Sequence, residues 1–410
     1  MTIPLNLNAL PRLGTDVRQP AYARPDLRPG ILHFGVGNFH RAHQAVYLDD
    51  LFNLGLDHDW AIVGAGVRPN DAELRTKLEQ QDWLTTVVER DATSQSSRVI
   101  GSMVDYVEPG DVETLMAWLV SPAIRIVSLT ITEGGYFLDA SGKFDPTHPE
   151  IVRDVASMDA PHTVFGLILA GLAARRAADI EPFTVMSCDN IPGNGHVTRD
   201  AVAGLADLVD PLLAEWVRTH VAFPNGMVDR ITPATSEHER ALVAGRYGIG
   251  DTCPVACETF RQWVVEDVFP QGRPALERVG VTFVSDVAPF ELMKIRILNG
   301  GHAAIAYPAG LMDIEYVHEA MQNELVSGFL ARLEQTEILP TIPPVPDTDL
   351  SAYLTQVEER FANPTVGDTV RRLCLDGSNR QPKFILPLYF NSRRNIKNIQ
   401  KSFNRIYIHY

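Results

Sequence analysis

An apolar run, Gly30-Ile-Leu-His-Phe, closes on Gly35-Val-Gly37 and passes at once into a helical pattern. A strand that must turn so tightly into a helix has few uses, the commonest being the first unit of a sheet flanked by helices. The pattern then recurs. Residues 60–67 read as the next strand, and others are expected over 124–131 and 183–187. Asn38 stands where an N-cap belongs, and residues 39–54 read as a helix turning Ala42, Val46 and Leu51 toward the sheet. From Phe290 onward long helical patterns replace the alternation, including 317–334 and 350–361, with a proline-rich connector at 340–346.

Strand, glycine turn and helix make Gly35-x-Gly37-x-x-His40 an incomplete dinucleotide fingerprint. Two glycines let backbone N–H groups approach a pyrophosphate at the helix N-terminus, while His40 replaces the third. Gly35, Val36, Gly37, Asn38 and Phe39 are therefore candidate cofactor contacts, although a purely structural turn would use the same residues. An acid should follow the second strand to bind the adenosine ribose. Asp71 in Arg68-Pro-Asn-Asp71 is available, further along than the usual spacing of about 20 residues, and Arg68 could instead pair with a 2′-phosphate. Two loops after strands could enter the same cleft. Ser128-Leu-Thr-Ile-Thr132-Glu-Gly-Gly-Tyr can pass beneath a nicotinamide, and Ser187-Cys-Asp-Asn190 offers Asn190 as an oxyanion donor or as a turn former. The fold expected is α/β: a Rossmann-type dinucleotide-binding domain over 1–286, then a mostly α-helical substrate domain over 287–388.

Within that second domain lies Lys294-Ile-Arg-Ile-Leu-Asn299-Gly-Gly-His302. On an α-helix, Asn299 falls about 140° and His302 about 80° around from Lys294, so all three can border one cleft. A lysine among apolar neighbours loses hydration, its pKa falls, and it can then take a proton near neutral pH. Asn299 and His302 can donate to a substrate oxygen. An amphipathic helix with Lys294 snorkelling fits these residues as well.

Net charge is −15 over 410 residues, with lysine and arginine scattered, which argues against a nucleic-acid surface. No leader-like N-terminus and no long uncharged apolar run is seen, so a cytoplasmic protein without membrane contact is expected. Cys188, Cys253, Cys257 and Cys374 are few, as suits a reducing compartment. Cys253 and Cys257 lack a second ligand pair and read as buried thiols. His33, His40 and His43 lack a completing carboxylate, so no metal is expected.

In combination, Gly35-Val-Gly-Asn-Phe-His-Arg-Ala-His43, Ser128 to Tyr136, Ser187 to Asn190, Phe223-Pro-Asn-Gly-Met-Val-Asp229-Arg-Ile-Thr-Pro233 and Lys294-x4-Asn299-x2-His302 carry a specific likeness. The chain resembles the polyol-specific long-chain dehydrogenase family, of the mannitol dehydrogenase and fructuronate reductase type, over about residues 20–387. The resemblance implies an NAD-dependent, metal-independent enzyme that oxidises a secondary alcohol of a polyol to the ketose. It makes Lys294 the general base, gives the oxyanion to Asn190 and Asn299, and has His302 orient the substrate. Glu291 would help pass the proton to solvent, and Asp229, Arg372 and Arg380 would contact substrate. Sugar acids are the alternative substrates, since Arg372 and Arg380 could hold a carboxylate. Two departures stand out. Asn70-Asp71 replaces the paired acids frequent in the family, which loosens rejection of a 2′-phosphate, and Arg380 stands where lysine is usual. A monomer is expected, with higher assembly left open.

Residues 389–410 break the composition. They hold five Arg or Lys and no Ala, Gly, Val, Leu, Pro, Asp or Glu. The stretch reads as foreign coding after a frameshift or truncation, which would leave a shortened and even inactive family member, or else as a genuine basic tail.

Overall fold

The computed structural model describes residues 2–386 apart from positions 67 and 376, with main chain only at 378–380 and 383. The basic stretch 389–410 and the Arg380 side chain thus lie outside the described residues. Two compact units emerge, one built from Met1–Arg90 and Gln95–Val287, the other from Asp91–Ser94 and from Ala288 onward.

The first unit is organised by five parallel strands: β1 (Pro29–Phe34), β2 (Ala61–Ala65), β3 (Met103–Val107), β4 (Ile126–Leu129) and β5 (Thr184–Ser187). Their spatial order is β3-β2-β1-β4-β5, the order of dinucleotide-binding sheets. Leu32 pairs with Val63 on one side and Val127 on the other. Both faces are covered, which is why the strands read as apolar runs rather than alternating ones. Ile31 packs with Ala45, Val46 and Leu48 in one layer. Leu32 and Phe34 pack with Phe165, Ile168 and Val202 in the other. Helices Val164–Ala177 and Asn194–Val209 supply that second layer.

Besides a two-stranded pairing of Ile3–Pro4 with Ile249–Gly250, two smaller sheets were not visible in the sequence pattern. One pairs Thr85–Arg90 and Gln95–Ile100 as an antiparallel hairpin and adds Val255–Glu258 and Val17–Arg18 in parallel. The other runs Gly226–Asp229, Gln262–Glu266, Thr282–Val284. Both short partner strands are recruited from far along the chain, a pairing that local periodicity does not encode.

The expected helix over 39–54 is interrupted. It forms as Asn38–Ala42 and Gln44–Asn53, broken at His43 with φ −120° and ψ −91°. Arg230 Nη1 donates to the Ala42 carbonyl at 2.6 Å, taking the acceptor that an unbroken helix would use for its own amide. Asn38 is likewise not the cap. Gly37 holds that position, and Asn38 opens the helix, its amide donating to Pro233 O and Thr235 Oγ1 at 3.0 and 2.9 Å.

Among its described residues the second unit is built of helices joined by loops, with one antiparallel bridge between Tyr316 and Thr369. It begins with Ala288–Lys294, passes through a π-helical turn at Ile295–Asn299 and continues as Gly300–Leu311. The helix expected over 317–334 splits into Val317–Gln322 and Glu324–Leu333. Asn323 parts them by capping the second, accepting from Leu325 N and Val326 N at 3.0 and 3.3 Å. A second π-turn follows at Glu334–Ile338, and Leu350–Phe361 forms as expected.

Candidate active site

In the first unit the chain leaves β1 at Gly35, whose φ is +90°. A Cβ there would meet the Thr130 carbonyl oxygen at 2.2 Å, so both conformation and space demand glycine. At Gly37 a Cβ would find nothing nearer than 3.8 Å. That open backbone, at the switch point between β1 and β4, suits the close approach of a pyrophosphate. Arg41, which sequence reasoning passed over, stiffens the turn. Its guanidinium donates to Gly37 O at 3.3 Å, Asn38 Oδ1 at 2.8 Å and Cys253 O. Val36 presses over Gly64 of β2, where a Cβ would stand 2.8 Å from its Cγ2. Phe39 stacks on His43, centroids 4.9 Å apart.

Beneath this turn His33 and His40 stack at 3.5 Å. His33 Nε2 lies 2.9 Å from Thr130 Oγ1, whose hydroxyl donates to Gly35 O. Burial lowers His33 and His43 to about 3 and His40 well below its ordinary value, so all three imidazoles are neutral. They serve the turn as packing. The Cys253 and Cys257 thiols are buried and free, pushed up by desolvation to about 11 and about 12. Among the described residues no three His, Cys, Asp or Glu side chains converge as metal ligands.

Asp71 opens helix Asp71–Glu79 after β2, and its Oδ2 accepts from Arg68 N at 3.0 Å. Gly66, the residue just beyond β2, packs on it so closely that a Cβ would sit 2.6 Å from the Asp71 Cβ. The acid is thereby drawn back to the mouth of β2 despite its long sequence spacing. Arg68 itself is exposed.

The loops after β4 and β5 are tied together. Thr132 has φ 64° and ψ 164°, a region that costs a β-branched residue about 1–3 kcal/mol. Asp189 accepts from its amide. Asn194 Nδ2 donates to Ser187 O, Asp189 O and Gly226 O, and Asn194 Oδ1 accepts from Gly226 N. The exposed Asn190 thus follows a fixed segment. Asp229 is buried at the end of strand Gly226–Asp229, opposite Gln262.

In the second unit, Lys294, Asn299 and His302 are 6%, 7% and 5% exposed. Gly300 N–H reaches back to Ile295 O, five residues away. Such a turn winds less per residue than an α-helix and brings Asn299 closer to the face of Lys294 than the α-helical count allows. His302, three residues beyond Asn299 in the following α-helix, neighbours it. Glu291 lies one turn before Lys294, half-buried. The His302 ring stacks on Phe361 at 4.0 Å, and its Nε2 faces Asp368 Oδ2 at 4.0 Å. Asp368 also takes a forked ion pair from Arg372, with Nε to Oδ1 at 2.5 Å. Behind the helix, Glu334 is fully buried, and neither carboxyl oxygen finds a hydrogen-bond partner among the described residues. Desolvation, then the charge of Glu358, raises it to about 9. Asp368, Phe361 and Glu334 carried no motif, because each matters only through what it packs against.

A parallel sheet in this order with an open glycine turn, in a chain that also carries a buried lysine beside an amide and an imidazole, defines a dinucleotide-dependent oxidoreductase. The family model for the mannitol dehydrogenase Rossmann domain matches residues 29–278, and that for the mannitol dehydrogenase C-terminal domain matches residues 286–400. The chain is 63% identical over 372 residues to a mannitol 2-dehydrogenase of Cereibacter sphaeroides, covering 90% of this chain and 78% of that one. Among solved structures, Pseudomonas fluorescens mannitol 2-dehydrogenase in a ternary complex with NAD and D-mannitol superposes with TM-score 0.90 at 46% identity, covering 95% of this chain and 80% of that one. A substrate-free D-sorbitol dehydrogenase gives the same score at 37% identity, covering 95% and 81%. The chain belongs to the mannitol dehydrogenase family.

Proposed function

We propose that the chain is an NAD-dependent mannitol 2-dehydrogenase that oxidises one secondary alcohol of a polyol to the ketose and runs the reverse reaction. The observation that carries this reading is the buried Lys294 at a π-turn that brings Asn299 and His302 toward its face. Gly35, Val36, Gly37, Asn38 and Phe39 hold the cofactor's pyrophosphate, Asp71 its ribose, and Thr132 lies at the nicotinamide. When bound, the nicotinamide supplies the hydride acceptor. Lys294 takes the hydroxyl proton, because lost hydration disfavours its ammonium and keeps it available as a free amine near neutral pH. Asn190 and Asn299 donate to the oxygen as charge develops on it, and His302 orients the polyol, held by its stack on Phe361. Glu291 passes the proton on toward solvent. Asp229 and Arg380 contact the substrate, and Lys294 serves in place of a metal.

A neutral polyol is favoured over a sugar acid by the state of Arg372. Its guanidinium is already neutralised by Asp368 in a forked pair, so it has little charge left for a substrate carboxylate. Purified protein with NAD should turn over mannitol, with sorbitol slower and mannonate slowest, and should keep its activity after exhaustive chelation. Faster turnover of mannonate would favour the sugar-acid reading, and loss on chelation restored by zinc would replace the lysine mechanism.

A further inference from the structure

Thr132 sits in a conformation that glycine enters freely and threonine does not. One side chain from the next strand's loop grips it. Asp189 Oδ1 accepts from Thr132 N at 2.8 Å, while its Oδ2 accepts from Ile131 N at 3.0 Å and from the Tyr136 hydroxyl at 2.7 Å. Tyr136 also meets Ser187 Oγ at 2.6 Å. Asp189 is itself immobilised. Its amide donates to Ser187 Oγ at 3.2 Å, and its carbonyl accepts from Ile191 N and Asn194 Nδ2 at 2.9 and 3.1 Å. The side chain is buried, so these donors are not exchanged for water.

We propose that Asp189 is a positioning residue, holding Thr132 in its strained conformation at the cofactor and fixing the neighbouring Asn190 through the same clamp. The proposal rests on the assignment of Thr132 to the cofactor site. Only a carboxylate satisfies the geometry. Two successive N–H groups and a phenol all point at it, and it accepts with both oxygens, whereas an asparagine would turn an NH2 toward one of those donors. The strain supplies the logic of the test. Glycine at 132 would adopt the same φ and ψ unaided, so a clamp whose role is to hold that conformation becomes dispensable once the strain is removed.

NADH dissociation constants would be measured for Asp189→Asn in the Thr132 background and again in the Thr132→Gly background. Binding should weaken about tenfold in the first and change little in the second. Equal weakening in both backgrounds makes Asp189 a general support of the fold and overturns the proposal, as does no weakening in either. If Asp189→Asn does not fold, Tyr136→Phe, which removes a single bond to the carboxylate, carries the same comparison with a smaller effect. Thr132→Asp separates the two layers of the argument. Undiminished NADH binding there, where a new negative charge should repel the cofactor, removes Thr132 from the cofactor site, whereas a clamp failure leaves that variant impaired.

Discussion

Gly300 donates its amide to the carbonyl of Ile295, five residues earlier, closing a π-helical turn that changes which side chains share a face with Lys294. Were the helix regular, Asn299 would point well away from the lysine. With the wider turn, lysine, amide and imidazole belong to one stripe.

Lys294→Ala should therefore lower kcat by about 10² to 10⁴ while NADH still binds, because the glycine turn and Asp71 belong to the first unit and lose nothing. Steady-state kinetics with a parallel NADH fluorescence titration checks both halves. Turnover close to that of the parent chain would remove the lysine from the mechanism.

Coenzyme choice should rest on Asp71. Its carboxylate should repel a 2′-phosphate, while the neighbouring Asn70 adds no second charge, so discrimination against NADP should be modest. Asp71→Ala should shift the ratio of kcat/KM toward NADP, and Asn70→Glu should sharpen the preference for NAD. A ratio unmoved by Asp71→Ala means another residue binds the ribose.

Glu334 links stability to pH. Its carboxyl, near 4.5 ordinarily, is raised to about 9 in the folded chain. Between these values the folded state holds a proton that the unfolded state has released, so stability falls as pH rises through that window and levels off above it. Glu334→Gln cannot ionise in either state. Its advantage over the parent should be absent near pH 4 and grow to on the order of a few kcal/mol by pH 9, read from urea midpoints across pH. A difference independent of pH would show that the buried acid is not the group responsible.

Gly35→Ala should destabilise the chain by more than about 2 kcal/mol, since a positive φ and a backbone clash with Thr130 coincide there. Gly37→Ala, with open space at its Cβ, should cost little stability yet weaken NADH binding. Thermal midpoints and NADH titrations of the pair test this, and equal midpoints would contradict the turn as built.

The sheet was legible because strands buried on both faces read as apolar runs, and β1, β2, β4 and β5 each stood between turn signals. The family was legible because its motifs are contiguous. What stayed hidden depends on partners distant in sequence. Nothing at His43 announces that Arg230 will take the Ala42 carbonyl, and nothing in Ile295–Asn299 distinguishes a π-turn from an α-helix. Asp189 lay inside a recognised motif, yet its role needs the Thr132 dihedral angles, which no residue pattern states. Gly66 shows the reverse case, closing by packing a gap that residue counting had made too long.

The strand order also bears on how the chain is made. β1 is central, and its second neighbour, β4, ends only at Leu129. During synthesis an apolar strand therefore waits with one edge unpaired while nearly a hundred further residues emerge, and its Ile-Leu-His-Phe sequence offers no charge to discourage pairing with another chain. A ribosome stalled before Leu129 would present a sticky half-sheet, so chaperone demand should be concentrated in the interval between the emergence of β1 and that of β4.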